Sequence, residues 1–122
     1  MIEHTLDTAH SILYVRPKTA LEQADFVQLA KTVDPYIADT GDLAGLVIEA
    51  PAFPGWESLA AMVAHFRFVR DHHKRIRKIA LVTDSALGNV AERLASHFVS
   101  AEIRHFAVGQ LEAAKQWVLG HV

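Results

Sequence analysis

Two short apolar bursts constrain this chain most: Leu46-Val47-Ile48 and Ile79-Ala80-Leu81-Val82. Each is too short for a helix and is bounded by turn-forming residues, which is the pattern of a strand buried on both faces. Each is also followed by a stretch whose apolar residues recur at helical spacing. A strand, a helix and a further strand in the same sheet require a right-handed parallel crossover. The remaining elements must therefore fit around a parallel sheet covered by helices.

The other segments read in that light. Ile2 to Asp7 and Ser11 to Arg16 are β-type runs separated by Thr8-Ala9-His10, a connection short enough for an antiparallel hairpin. Thr19 with Glu22 has the form of a capping box, and Leu21, Phe26, Leu29, Ala30, Val33 and Ile37 predict a helix over about 20 to 39. A strand over Leu43 to Ala50 follows. After Pro51 to Glu57, Trp56, Leu59, Ala60, Val63, Phe66 and Arg70 mark one face of a second helix ending near Lys74. Ile76 to Val82 is a second buried strand. Asp84 or Ser85 can cap a third helix with apolar positions Leu87, Val90, Ala91, Leu94, Phe98 and Val99. Glu102 to Val108 alternates as a last strand. A helix over Gln110 to Leu119 closes the chain, with Leu111, Ala114, Lys115 and Val118 on one side and Trp117 beside them. The order ββαβαβαβα predicts an α/β fold: a mixed sheet with parallel core strands, an antiparallel N-terminal hairpin and about four flanking helices. A chain of 122 residues removes roughly two-thirds of its unfolded surface from water, enough for one domain over residues 1–122.

Composition narrows the function classes. With 51% hydrophobic and 21% charged residues, the chain is globular rather than disordered. No apolar run approaches the roughly 18 residues of a membrane span, and the first residues lack signal-peptide character, so a cytoplasmic protein is expected. The absence of cysteine removes disulfides, thiolate catalysis and thiolate metal sites. A net charge of −2 argues against a nucleic-acid partner. That total is unevenly spread, because Arg67, Arg70, Lys74, Arg75, Arg77 and Lys78 fall together with Asp71 as the only acid among them. These cations either complement the negative end of a helix dipole or form an anion-contacting patch, which would place the protein at the inner face of a membrane.

Catalytic and cofactor patterns are missing from the two connections at the carboxyl ends of the central strands, where open parallel sheets bind ligands. Ser85 has no G-x-S-x-G around it and no histidine base, so Asp84 and Ser85 read as a helix cap rather than a catalytic pair. Gly88 stands alone, so there is no phosphate-cradling motif. His65 and His72, at i and i+7, are about 10 Å apart on a helix, too far for one ion without further ligands. No catalytic residue, no metal and no cofactor are expected. What the connections do contain is apolar bulk. Phe53, Trp56, Leu59, Met62, Val63 and Phe66 make the segment hydrophobic around most of its circumference. Either Trp56 staples the helix start onto the core, or these residues, with Ser85 and Leu87, line a site for an apolar small molecule or lipid.

The strand ending in FPGW (Phe53 to Trp56), the segment DHHKRIRKIALVTD (Asp71 to Asp84) and the closing AEIRHFAVGQLEAAKQWV (Ala101 to Val118) together resemble the SpoIIAA-like family. That family resembles the STAS domain of bacterial anti-sigma factor antagonists and has been likened to lipid-binding CRAL-TRIO domains. The resemblance implies a non-enzymatic domain that binds an apolar ligand or lipid, with peripheral membrane association, through a loop and helix (Phe53 to Phe66) that open and close. The alternative it implies is a protein-interaction or regulatory module, with a protein partner or a second copy as the occupant of the same patch. Anti-sigma factor antagonists carry a phosphorylatable serine, usually as Asp-Ser, where this chain has Pro51-Ala52-Phe53-Pro54-Gly55-Trp56. The first hydroxyl here is Ser58, expected inside the helix, so the regulatory alternative would act without the serine phosphoswitch.

Overall fold

In a computed structural model, residues 1–95 and 97–120 are described, with the side chains of Ser85, Leu87 and Leu94 left aside. Five strands form one sheet: β1 (Ile2–Asp7), β2 (Ile12–Pro17), β3 (Leu43–Ala50), β4 (Ile76–Thr83) and β5 (Glu102–Phe106). They lie in the order β1-β2-β3-β4-β5. β1 and β2 are antiparallel, with Leu6 opposite Leu13. The other pairings are parallel, with Leu13 beside Leu46, Leu46 beside Ile79 and Ile79 beside Ile103. The helices are α1 (Gln23–Thr40), α2 (Leu59–His72), α3 (Ser85–Ala95) and α4 (Leu111–Val118). A 3-10 turn over His73–Arg75 leads from α2 into β4. The expected mixed sheet and four helices are present, with four parallel strands rather than three.

Strand order that follows chain order has a geometric consequence. Right-handed crossovers that always step in the same direction place α1, α2 and α3 on one face of the sheet. Phe26, Leu29, Val33 and Ile37 of α1 pack there against Leu13, Val15 and Leu46, joined by Phe68 of α2. α3 covers β4 and β5 closely enough that a Cβ on Gly88 would lie 2.1 Å from the His105 ring. The opposite face belongs to α4. Ala114 and Val118 bury against Ile12, Val47, Ala80, Val82 and Phe106. Gly45 admits this helix, since a Cβ there would stand 2.1 Å from Cγ1 of Val118.

Several boundaries differ from the sequence-based expectation, each for a non-local reason. α1 begins at Gln23 rather than near 20, and its cap is Glu22, whose N–H donates to Oδ2 of Asp25 at 2.8 Å. Leu21 is engaged elsewhere, in a parallel bridge with Trp56. α2 begins at Leu59, so Trp56 precedes the helix instead of lying on it, and Ser58 is the N-cap, accepting from Ala61 N at 3.1 Å. Ser58 is thus not inside the helix, as the sequence had suggested. β5 stops at Phe106, leaving Val108 exposed. α3 ends by Ala95, so Phe98 lies beyond it and is 79% exposed, while Val90 of α3 also faces water.

Candidate docking site

At the carboxyl end of β3 the chain turns through Pro51 to Ser58 and is pinned to the start of α1. Leu21 N donates to Gly55 O at 2.8 Å, and Glu57 N donates to Leu21 O at 2.9 Å. Gly55 adopts φ +83, a conformation that L side chains rarely take, so glycine suits this turn. Ser58 then caps α2, and the helix presents two faces. Ala61, Ala64, Phe68 and His72 turn inward. Leu59, Val63 and Phe66 lie within about 60° of one another on the side roughly opposite.

That outer face is apolar. Leu59 is 71% exposed, Phe66 56%, Val63 42% and Phe53, just before the helix, 41%. The sequence had grouped Leu59, Ala60, Val63 and Phe66 as one helix face, and the structure turns this face to solvent. Met62 and Trp56 are half-buried. The Trp56 ring makes T-shaped contacts with Phe53 at 4.9 Å and Phe66 at 5.8 Å between ring centroids. Its indole N–H donates to Nδ1 of His65 at 3.1 Å.

Because an indole nitrogen only donates, Nδ1 of His65 must be the acceptor and the ring is held neutral with its proton on Nε2. His65 stacks on Phe26 of α1 at 5.0 Å and 14°. Burial pushes its proton affinity below the ordinary histidine value. The ring series continues inward. Phe26 lies 6.0 Å from Phe68, and Phe68 stacks on His72 at 4.0 Å. Nδ1 of His72 bonds Phe68 O and Nε2 bonds Oδ1 of Asp34, each at 2.7 Å. Sequence reasoning set His65 and His72 aside as a poor metal pair. Their i, i+7 spacing was the available signal, since it places both on the buried face of α2.

The six clustered cations do not act together. The guanidinium of Arg75 pairs with Asp42. Lys78 belongs to the other face of the sheet, where Nζ donates to Trp117 O at 3.0 Å and lies 5.1 Å above that indole. Arg70 bonds Asp71 at 2.9 Å, and this contact holds the Asp71 carboxyl below its usual range. Arg67 and Lys74 are exposed around the C-terminal end of the α2 stripe, where Arg70 also lies with its Asp71 partner, and Arg77 is exposed on β4.

Asp84 caps α3, its Oδ1 accepting from Ala86 N at 3.1 Å. The side chains of Ser85 and Leu87, both expected at a ligand site, lie outside the described residues. Two grooves occur elsewhere. One, of about 390 Å³, runs beside α4 and is lined by Glu3, Thr5, Tyr14, Arg16, Glu49 and Lys115, among others. The other, of about 350 Å³, lies between α1 and the end of α2, at Asp34, Asp71, His72 and Arg75. Neither has a residue of 51–66 in its wall. Among the described residues no histidine and carboxylate cluster could hold a metal ion, and no helix is long and apolar enough to cross a membrane.

The sheet order, the single-face crossovers and the outward apolar helix define a small mixed α/β domain of the STAS type. The SpoIIAA-like family model matches residues 12–119, and the chain belongs to the SpoIIAA-like family. A solved structure similar to it is an uncharacterised protein of the DUF3478 family from Shewanella loihica PV-4, described as having a SpoIIAA-like fold. The two share 19% identity with a TM-score of 0.78, over 96% of this chain and 93% of that one. No curated protein matches the sequence.

Proposed function

We propose that this domain is a regulatory protein-interaction module of the STAS type, which docks a partner protein on the outer face of α2 and the adjoining 51–58 segment and performs no chemistry of its own. The observation that supports this reading is the outward stripe of Leu59, Val63 and Phe66 with Phe53 at its end. A helix on an open α/β sheet normally turns such side chains inward, and contiguous exposed apolar surface of this kind marks an interaction site. The loop beside the stripe is already ordered by the Leu21–Trp56 bridge and the Trp56–His65 hydrogen bond, so docking needs little further ordering.

Photo-crosslinking in cells tests the proposal. A benzophenone amino acid at Phe66 should give a discrete adduct with a different protein, and the same group at Glu112, on the far side of the sheet, should not. Adducts only with lipid, or only with a second copy of the chain, would refute it.

A second reading has its own support. Exposed Phe66 and Leu59 with Arg67 and Lys74 nearby also suit an apolar ligand presented at an anionic lipid surface, peripheral to the membrane. Flotation with anionic vesicles, abolished by salt and by Phe66→Ser, is the result that reading requires.

A further inference from the structure

The chemistry of the α2 stripe also says what kind of partner fits it. We propose that the docking segment is an amphipathic helix of a partner protein, whose apolar side chains cover Leu59, Val63 and Phe66 and whose acidic side chains meet Arg67, Arg70 and Lys74. This inference rests on the protein-interaction reading above and narrows it.

Shape gives the first argument. From Leu59 to Arg70 the stripe runs about 16 Å along the helix, three turns, with apolar positions at i, i+4 and i+7. That is the length and spacing by which one helix lies on another. Phe53, in T-shaped contact with Trp56, closes the N-terminal end of the stripe.

Charge gives the second. No acid occurs between Ser58 and Arg70, while the cations gather past the apolar run, at the C-terminal end. Arg75 and Lys78, which the sequence placed in the same cluster, are held by Asp42 and by Trp117. Arg67 and Lys74 are exposed, and the exposed Asp71 bonds Arg70 and lies near enough to Arg67 and His72 to feel their charge, so one carboxylate faces several cations. A partner with apolar anchors at one end and carboxylates at the other complements this surface along its whole length.

The same distribution disfavours the other occupants. Two copies of this face packed parallel would bring their cations within about a Debye length of each other, and packed antiparallel would set each cationic end against the other's apolar start, where no acid lies between Ser58 and Arg70 to meet it. Interfacial helices carry cations along the polar flanks of an apolar face. Here the cations cluster past one end, which matches an elongated partner with separate apolar and acidic parts more closely than it matches a bilayer surface.

The probe is a fluorescein-labelled, alanine-rich helical peptide of about 18 residues, with Leu at i, i+4 and i+7 and three Glu in the following turns; its counterpart carries Lys in place of Glu. The acidic peptide should bind the full chain at least about tenfold more tightly than the basic one, and its affinity should fall as salt rises. Arg67→Glu with Arg70→Glu and Lys74→Glu should invert the preference. Should that variant fail to fold, Lys74→Glu alone, together with the salt series on the native chain, carries the test. Equal binding of the two peptides, no binding of either, preferential sedimentation with phosphatidylglycerol vesicles, or a dimer abolished by Phe66→Ser would each overturn the inference. If crosslinking from Phe66 still captures a partner protein while peptide charge makes no difference, the interaction module stands and only its acidic partner falls.

Discussion

Replacing Trp56 by Phe removes one atom pair that holds the 51–58 segment to the helical layer. The indole N–H donates to Nδ1 of His65 at 3.1 Å. A neutral hydrogen bond of this kind contributes about 1 kcal/mol net. The smaller ring also loses part of its edge contact with Phe53 and Phe66, so the total loss should be about 1–2 kcal/mol. In a domain of this size that lowers Tm by about 4–8 °C. The pH profile carries a sharper signature. Burial lowers the proton affinity of His65 in the folded chain, so the unfolded chain binds more protons between the folded value and the ordinary value of about 6.5. The stabilisation is therefore complete above that ordinary value and is lost as pH falls through it towards the folded one. Among the described residues no charge opposes this trend at the ring. On α1, Asp25 is turned to the N-terminal amine and Ile2 N. In the 51–58 segment the sole ionisable group is Glu57, whose carboxyl is raised by its hydrogen bond to Glu22 of the α1 cap, and on α2 the neighbouring Arg67 is exposed. Chemical denaturation at a series of pH values should show stability falling on acidification in the native chain. The slope should be shallower in Trp56→Phe, where protonating Nδ1 no longer breaks a bond, and this component should be absent in His65→Phe. A Trp56→Phe midpoint equal to the native one, or a native pH profile that His65→Phe leaves unchanged through this range, would refute the assigned role of the Trp56–His65 pair.

Three further outcomes follow from packing. Gly45→Ala forces a methyl into Val118 and should cost about 1–3 kcal/mol, with Val118→Ala in the same chain recovering part of the loss in urea denaturation. Thr83→Val removes a buried hydroxyl that has no hydrogen-bond partner among the described residues, so thermal unfolding should show no loss and a gain of up to about 1 kcal/mol. Ser58→Ala deletes the cap on α2 and should lower stability by about 1 kcal/mol in the same assay.

The sheet was the most legible part of the chain. Leu46-Val47-Ile48 and Ile79 to Val82 are unbroken because both faces of those strands are covered, and the Thr8-Ala9-His10 connection is too short for anything but antiparallel neighbours. The start of α1 was displaced because Thr19 and Glu22 satisfy the capping pattern locally, while Leu21 is taken by Trp56, far along the chain. Which face of α2 meets the sheet was left open for a related reason. Leu59, Val63 and Phe66 form one apolar row, and Ala61, Ala64 and Phe68 form another. Periodicity finds both rows without saying which one meets the sheet. That choice depends on Phe26 receiving His65 and Phe68, a contact between two helices. Lys78 shows the same limit, since the indole beneath it lies 39 residues further along.

The sheet is laid down in the order in which it is synthesised. Each new strand meets a neighbour that already exists, so the growing chain can extend its sheet without waiting for a distant segment. The far side of that sheet is different, because Ile12, Val47, Ala80, Val82 and Phe106 have no cover until residues 111–118 have been made. Throughout that interval a broad oily surface faces the cell, and a chaperone that shields it until α4 emerges would guard the one stage at which this protein is most prone to stick to its neighbours.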